Sequence, residues 1–304
     1  MTISAWSAAE TVGVVGLGSM GSAMAGRLLD HGVQVALYNR TAARAEPLRA
    51  RGGRVLPCPA DVCWLATVVI TCVSDDTALQ HVLLGANGVL AGSRPGTILL
   101  ETSTISPAAS AELVPACEDA GVLYLRAPIS GSAQAGASGN ITFLCSGPKR
   151  AFEAARPLLD LLATRSFYLG QAEEGRYQKL ALLLVVGATM ASLSEALVLG
   201  EKAGLDWRSM LDVFDTTAVA SPLVRNKIPT LLERDFSGGA ATRLVAKDFD
   251  LILGAGRLTA TPLPLAGLVR QLLAGVQSAG GDDLDLSALV LLFERLAGLS
   301  EQLT

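Results

Sequence analysis

From Thr11 to about Gly170, short apolar runs alternate with amphipathic stretches, the pattern of a sheet whose strands are joined by crossover helices. The runs predict strands at Val12–Val15, Gln34–Tyr38, Val68–Val73, Thr97–Glu101, Leu123–Ala127 and Ile141–Ser146. Helices fall between them. In Ser19–Asp30, for example, Met20, Ala23, Met24, Leu28 and Leu29 recur at helical spacing. After Gly170 the strand signal stops and helical patterns take over, at about Gly175–Ala203, Asp206–Asp215, Pro222–Glu233, Leu244–Gly256, Pro264–Ala279 and Ser287–Leu299. The expectation is an α/β chain: a doubly wound sheet over residues 1–170, then an all-helical domain over residues 171–304 that begins with a long interdomain helix.

That long helix carries the most informative residue. Lys179 opens an unbroken apolar run, Leu180 to Val186, on a segment that reads as buried, and an ammonium there needs a reason. Only five of the 24 basic residues are lysines, so a titratable amine stands where burial could tune it. The 21 residues from Leu180 to Gly200 resemble a membrane span in length. Ser192, Ser194 and Glu195 argue for a core helix instead, because a carboxylate near mid-bilayer costs about 2.5 to 3.5 kcal/mol.

Composition narrows the function. Half of the 304 residues are hydrophobic and 17% are charged, enough for a large core in two domains. A net charge of -4 leaves no basic surplus for a nucleic-acid backbone. Cys58, Cys63, Cys72, Cys117 and Cys145 are scattered without a C-x-x-C pair, which predicts reduced thiols in a cytoplasmic protein and no metal site. Met1 to Thr11 shows no basic segment followed by an apolar stretch, so no secretion signal is expected.

The end of the first strand carries G-x-G-x-x-G as Gly16-Leu17-Gly18-Ser19-Met20-Gly21, opening a helix. In that context Gly16 allows a tight turn, Gly18 lets backbone approach a pyrophosphate, and Gly21 permits close helix packing, the Rossmann dinucleotide fingerprint. The second strand ends in Tyr38-Asn39-Arg40-Thr41, with no carboxylate for a ribose 2′-hydroxyl. The Arg40 guanidinium suits a 2′-phosphate, so NADP(H) is the expected cofactor.

Hydride transfer to a carbonyl needs a proton donor. His31 and His81 fall at a helix end and inside a predicted helix of the nucleotide domain, and read as surface or packing residues. None of the four tyrosines is followed four places later by lysine, and the cysteines offer no zinc site. Lysine remains.

Four further motifs join the glycine loop: Glu101-Thr102-Ser103-Thr104-Ile105-Ser106-Pro107, Ala127-Pro128-Ile129-Ser130-Gly131-Ser132 with Gly136 and Gly139, Lys179, and Lys247-Asp248. In this order the chain resembles the β-hydroxyacid dehydrogenases, the 3-hydroxyisobutyrate dehydrogenase and glyoxylate/succinic semialdehyde reductase type, over nearly its whole length. Ser166 to Gly170 and Asn39 to Thr41 look most like the glyoxylate reductase branch. The resemblance implies that Lys179 is the catalytic acid/base and that Ser130, Gly131 and Ser132 cradle a substrate carboxylate. It also implies cofactor contacts at Thr104 and Lys247, with Val73 and Ser74 beside the glycine loop residues Gly16 to Met20 and Asn39 to Thr41. Read without the resemblance, Ser130 to Ser132 is an ordinary turn and Lys247 a helix-surface lysine paired with Asp248 or Asp250.

Two positions depart from the family pattern. Leu183, one turn beyond Lys179, replaces an asparagine that helps to hold substrate. Arg126 replaces an acidic residue, with a side chain expected to point to solvent. The expected activity is NADPH-dependent reduction of a small aldehyde or keto acid, or its reverse, by a homodimer. The alternatives are an imine reductase, which shares the fold and is favoured by Leu183, and a non-catalytic NADP-binding module.

Overall fold

The computed structural model describes residues 10–299. The chain forms two compact units, the first ending at Lys179 and the second beginning at Leu180. Residues 1–9, most of the segment read above for a targeting signal, lie outside the described residues.

The first unit is built on β1 (Thr11–Val15), β2 (Gln34–Tyr38), β3 (Arg54–Val55), β4 (Val68–Thr71), β5 (Ile98–Glu101), β6 (Leu123–Arg126), β7 (Ile129–Ser130), β8 (Thr142–Ser146) and β9 (Arg165–Gly170). These nine strands form one sheet in the order β3-β2-β1-β4-β5-β6-β8-β7, with β9 on β8. Strands β1 to β6 pair in parallel, and β8 runs antiparallel to β6. Separate apolar clusters cover the two faces, one including Val14, Met24, Leu100 and Phe143, the other Val15, Val69, Leu99 and Val122. This is the doubly wound fold that the alternating runs imply.

The differences from the sequence reading are local. Strand β4 stops at Thr71, two residues before the predicted end, because Cys72 and Val73 leave the ladder to pass beside the glycine loop. The Cys72 amide still donates to the Val15 carbonyl at 2.9 Å, but the Val73 amide donates to Ser103 Oγ at 2.8 Å. Strands β3 and β7, two residues each, are too short to show a period. Strand β9 has no counterpart among the predicted strands, since it lies at an edge and only part of its surface is covered.

The second unit is helical: the rest of Glu174–Lys202, then Trp207–Thr216, Pro222–Glu233, Thr242–Leu258, Pro264–Ser278 and Leu289–Leu296. Asp206 and Ser221 start two of these helices by accepting the Ser209 and Val224 amides. Met190, Leu197, Leu211, Leu231, Phe249 and Leu273 are fully buried in its core. The last helix ends at Leu296, short of the predicted Leu299, with Gly298 in a left-handed turn at φ 71°.

Glu174–Lys202 is long and apolar enough to cross a membrane by length and composition alone. It packs Leu180, Met190, Leu193, Leu197 and Val198 into the helical core. The reading of Leu180 to Val186 as a buried run needs correction, because Val185 is exposed and Leu182 to Leu184 are half-buried, and Leu199 further along is exposed as well. A helix packed on one side buries one stripe, however apolar the rest of its circumference.

Candidate active site

The three glycines after β1 meet different surroundings. Gly16 has φ 98°, and a Cβ there would lie 2.2 Å from the Cys72 carbonyl oxygen. A Cβ on Gly21 would lie 2.0 Å from the Gly16 carbonyl oxygen, so this residue sets how closely helix Ser19–Asp30 approaches the strand. A Cβ on Gly18 would meet nothing within 4 Å. Gly18 is also the N-cap, with no side chain capping the helix. Open space at Gly18 in front of the helix's first amides, at the point where β2 and β4 leave β1 on opposite sides, fits a dinucleotide pyrophosphate.

Around this cradle the predicted cofactor residues divide into two kinds. The Asn39 side chain is a staple: Oδ1 accepts the Leu17 amide at 2.8 Å and Nδ2 donates to the Thr41 carbonyl at 2.9 Å. Leu17 is itself a core residue, and Met20 packs against the sheet core. Ser19, Arg40 and Thr41 are exposed. Arg40 makes no hydrogen bond or ion pair among the described residues, which leaves its fork open to an anion.

The ends of β4 and β5 are cross-linked beside the loop. Thr102 Oγ1 donates to the Thr71 carbonyl at 2.7 Å, and the Val73 amide reaches Ser103 Oγ. Ser74 is exposed and donates to Asp75, which caps the helix at Asp76–Leu84. Thr104 follows, half-buried, between buried Ser103 and Ile105.

Ser130 ends β7, pairing with Thr142, and its hydroxyl has no partner among the described residues. Gly131 has φ 140°, and a Cβ there would lie 2.7 Å from Ile141. Ser132 Oγ accepts the Ala135 amide at 3.1 Å, capping the short helix Ala133–Ser138. That helix lies against the glycine-loop helix, since a Cβ on Gly136 would come 2.9 Å from Met20 sulfur.

Lys179 is half-buried in the second turn of the long helix, and one turn before it lies a buried ionic cluster that sequence reasoning missed. Arg176 is 1% exposed and pairs with fully buried Glu101 of β5. It also donates to the Tyr124 hydroxyl at 2.9 Å and to the Ser103 carbonyl at 3.1 Å. Its Nε lies 3.3 Å from Glu173 Oε2, within ion-pair distance but outside hydrogen-bond geometry for both atoms. Glu101 Oε1 accepts the Ser103 amide at 2.8 Å, and Tyr124 bonds Ser110 at 2.9 Å.

Arg126 belongs to the same cluster, which corrects the expectation that it points to solvent. It is 4% exposed, donates twice to Glu173 Oε1 at 2.9 and 2.6 Å, and stacks 4.4 Å from the Tyr124 ring. Two arginines and two glutamates make the cluster neutral. Burial works against the Arg176 charge, but Tyr124, Glu101 and Glu173 outweigh it and raise its pKa. Burial also raises the Tyr124 pKa, with Arg176 acting against it. Removing one partner of such a buried pair costs about 3 to 5 kcal/mol, because a charge is stranded. Glu173 and Arg176, three apart on a helix start, were the available signal; their distant partners were not readable.

Leu183 and Lys247 belong to the second unit. Leu183 is half-buried and packs against the helical core. Lys247, on helix Thr242–Leu258, lies 3.0 Å from Asp248, and Asp250 is taken by Arg270. His31 caps the C-terminus of the glycine-loop helix and His81 lies within Asp76–Leu84. All five cysteines are free, and burial pushes the Cys63 and Cys72 thiols up to about 11 and Cys117 and Cys145 to about 12.

Known proteins share both units. Residues 11–170 match the family model of the NAD binding domain of 6-phosphogluconate dehydrogenase. Residues 174–293 match that of the NAD-binding domain of NADP-dependent 3-hydroxyisobutyrate dehydrogenase. Glyoxylate/succinic semialdehyde reductase 1 of Arabidopsis thaliana is 33% identical over 279 residues, 92% of this chain and 96% of the relative. The structure of Psf3 in complex with NADP+ and 2-OPP is 26% identical, with a TM-score of 0.84 over 92% of this chain and 98% of that one. An imine reductase from Pseudomonas sp., 23% identical, shares the fold with a TM-score of 0.62 over 93% of this chain and 99% of that one. A nucleotide cradle after β1 and matches across both units lead to one conclusion: the chain belongs to the β-hydroxyacid dehydrogenase family and is an oxidoreductase with nicotinamide-dinucleotide-binding domains.

Proposed function

We propose that this protein is an NADPH-dependent reductase of a small aldehyde or keto acid, with Lys179 as the acid/base. The observation that carries the reading is the setting of Lys179: a half-buried lysine one turn beyond a neutral cluster of buried charges on a helix tied to the Ser103 loop. The bound nicotinamide supplies the hydride. Lys179 Nζ gives a proton to the carbonyl oxygen as it gains charge, and takes it back when the hydroxyacid is oxidised. Ser130, Gly131 and Ser132 hold the substrate carboxylate through amide and hydroxyl groups, which fixes the carbonyl relative to Nζ. Arg40 holds a 2′-phosphate, consistent with its open guanidinium and with the NADP+ bound to the similar Psf3. Lys247 is a further cofactor contact in this reading, its pairing with Asp248 being the competing surface arrangement.

The relatives act on semialdehydes and hydroxyacids by name, so glyoxylate and succinic semialdehyde are the first substrates to try. The competing reading is an imine reductase. Leu183 favours it, because leucine gives no hydrogen bond where an oxygen-rich hydroxyacid would use one. The five thiols are all free, which fits a reducing, cytoplasmic setting. A homodimer is part of the proposal, on the apolar residues such as Val185 and Leu199 that neither core covers.

The test is NADPH oxidation with glyoxylate, succinic semialdehyde and a cyclic imine, for the native enzyme and Lys179→Ala. The expected result is turnover on an aldehyde that falls about 100- to 10,000-fold in the variant, with NADPH affinity nearly unchanged. A variant that kept most of its kcat would overturn the assignment of Lys179.

A further inference from the structure

The structure assigns a second role in this reaction: Arg176, held by Glu101 and Tyr124, is a positioning residue that fixes the Lys179 ammonium over the Ser103-Thr104 loop. The inference rests on the proposed acid/base role of Lys179.

Arg176 and Lys179 are three residues apart on one helix, so their side chains leave neighbouring points of the same face. What anchors Arg176 therefore sets the rotation and height of the turn carrying Lys179. The anchors come from separate elements of the first unit. Glu101 ends β5, Ser103 begins the loop after it, and Tyr124 lies on β6. Glu173, the residue just before the same helix, is held by Arg126, which itself immediately precedes the Ala127 to Ser132 segment. The helix start is thus tied to the strand ends that carry Thr104 on one side and Ser130 on the other.

A planar guanidinium suits this task, since its donors diverge in fixed directions and it cannot lose its proton. With partners on three elements, a rotation of the helix start would break several bonds at once. The Ser103 loop does not depend on Arg176 in the same way. Its amide is bonded to Glu101 Oε1, and its hydroxyl accepts the Val73 amide. Loss of Arg176 should therefore release the lysine turn more than the cofactor loop. Proton transfer is sensitive to such a release, as a misplacement of about 1 Å costs on the order of 100-fold in rate.

The variants are Tyr124→Phe, which deletes the hydroxyl's bonds to Arg176 and Ser110 and keeps the ring beneath Arg126, and Arg176→Lys, which keeps the charge and loses the fork. Each is assayed as holoenzyme with saturating NADPH and succinic semialdehyde. Reductive 13C-methylation provides a readout independent of turnover, because the chain has only five lysines besides its α-amino group and the Lys179 signal is identified by its loss in Lys179→Arg, or, where Arg176→Lys adds a sixth lysine, by its loss in the double variant Arg176→Lys/Lys179→Arg. The expected result is a kcat lower by about 3- to 10-fold in Tyr124→Phe and about 10- to 100-fold in Arg176→Lys. KM and NADPH affinity should stay within about two-fold, the solvent isotope effect on kcat should rise, and the Lys179 resonance should move while the other four stay.

Native kcat and an unmoved Lys179 resonance in both variants, with only a lower melting temperature, would reduce the cluster to a structural role. A fall in NADPH affinity that matched the fall in kcat would also overturn the inference, placing the effect on the cofactor loop. The two readings fail separately. If Lys179→Ala remains active the acid/base assignment is wrong, whereas an inactive Lys179→Ala beside fully active cluster variants refutes only the positioning role.

Discussion

Replacing Gly16 or Gly18 by alanine should separate folding from cofactor binding within three residues. At Gly16 the new Cβ would sit at φ 98° and 2.2 Å from a backbone carbonyl that cannot rotate away. Left-handed strain of about 1 to 3 kcal/mol and an overpacking cost of about 1 to 3 kcal/mol add to about 2 to 6 kcal/mol. For a unit of this size each kcal/mol lowers Tm by about 2 to 4 °C, so Gly16→Ala should lose on the order of 10 °C. Gly18 has φ -69° and ψ -173°, open to any residue, and empty space around the new methyl. Its less favourable N-cap and its lower unfolded-state entropy each amount to about 0.5 to 1 kcal/mol and oppose one another, so Tm should hardly change. The methyl would instead occupy the approach of the pyrophosphate. Losing one charge-assisted hydrogen bond, about 1.5 to 3 kcal/mol, weakens NADPH binding about 10- to 100-fold. Thermal melts with and without NADPH, together with a fluorescence titration, measure both quantities. A Gly18→Ala protein with native NADPH affinity, or one that melts as early as Gly16→Ala, would refute the argument.

Other expectations follow from the same residues. Arg40→Asp should remove the preference for NADPH over NADH, a difference of about 1.5 to 3 kcal/mol; equal affinities in the unmutated protein would show that Arg40 reads no 2′-phosphate. Leu183→Asn should raise kcat/KM on short polar semialdehydes relative to bulkier apolar substrates by about 1 kcal/mol for each substrate methylene that no longer meets an apolar wall, and unchanged ratios across a panel would remove Leu183 from the substrate site. Because burial raises the Cys63, Cys72, Cys117 and Cys145 thiols above the ordinary 9.0, the folded chain holds those protons more tightly than the unfolded one. Their contribution to stability is full below pH 9 and is lost as pH rises through about 11 to 12. Melting temperature should therefore fall across that range, less steeply in Cys145→Ala, and an equal slope in that variant would count against the burial argument.

Much of the fold and part of the site are legible in the chain because they depend on neighbours in sequence. Helix Ser19–Asp30, strand Gln34–Tyr38 and helix Pro222–Glu233 occur with the bounds that apolar period and breakers suggest. The glycine loop is readable for the same reason: its backbone demands lie within a few residues of the strand that precedes it. Where the pattern is short or local preference is indifferent, as in the two-residue strands β3 and β7, there is nothing periodic to read.

The charged core shows the other limit. Local pattern places Arg126 at a strand end and Arg176 at a helix start, where arginine ordinarily reaches water. In the folded chain both are buried, Arg176 against a glutamate 75 residues away and Arg126 against one 47 residues away. A buried charge is tolerable only beside its counter-charge, and that pairing exists only once the sheet has brought the ends of β5 and β6 to the start of the long helix. Asn39 behaves alike: sequence places it beside the cofactor loop, and the fold commits its amide to Leu17 and Thr41. Periodicity along the chain settles which segments are strands and helices, while the partner of each polar side chain depends on contacts between segments that no local pattern encodes.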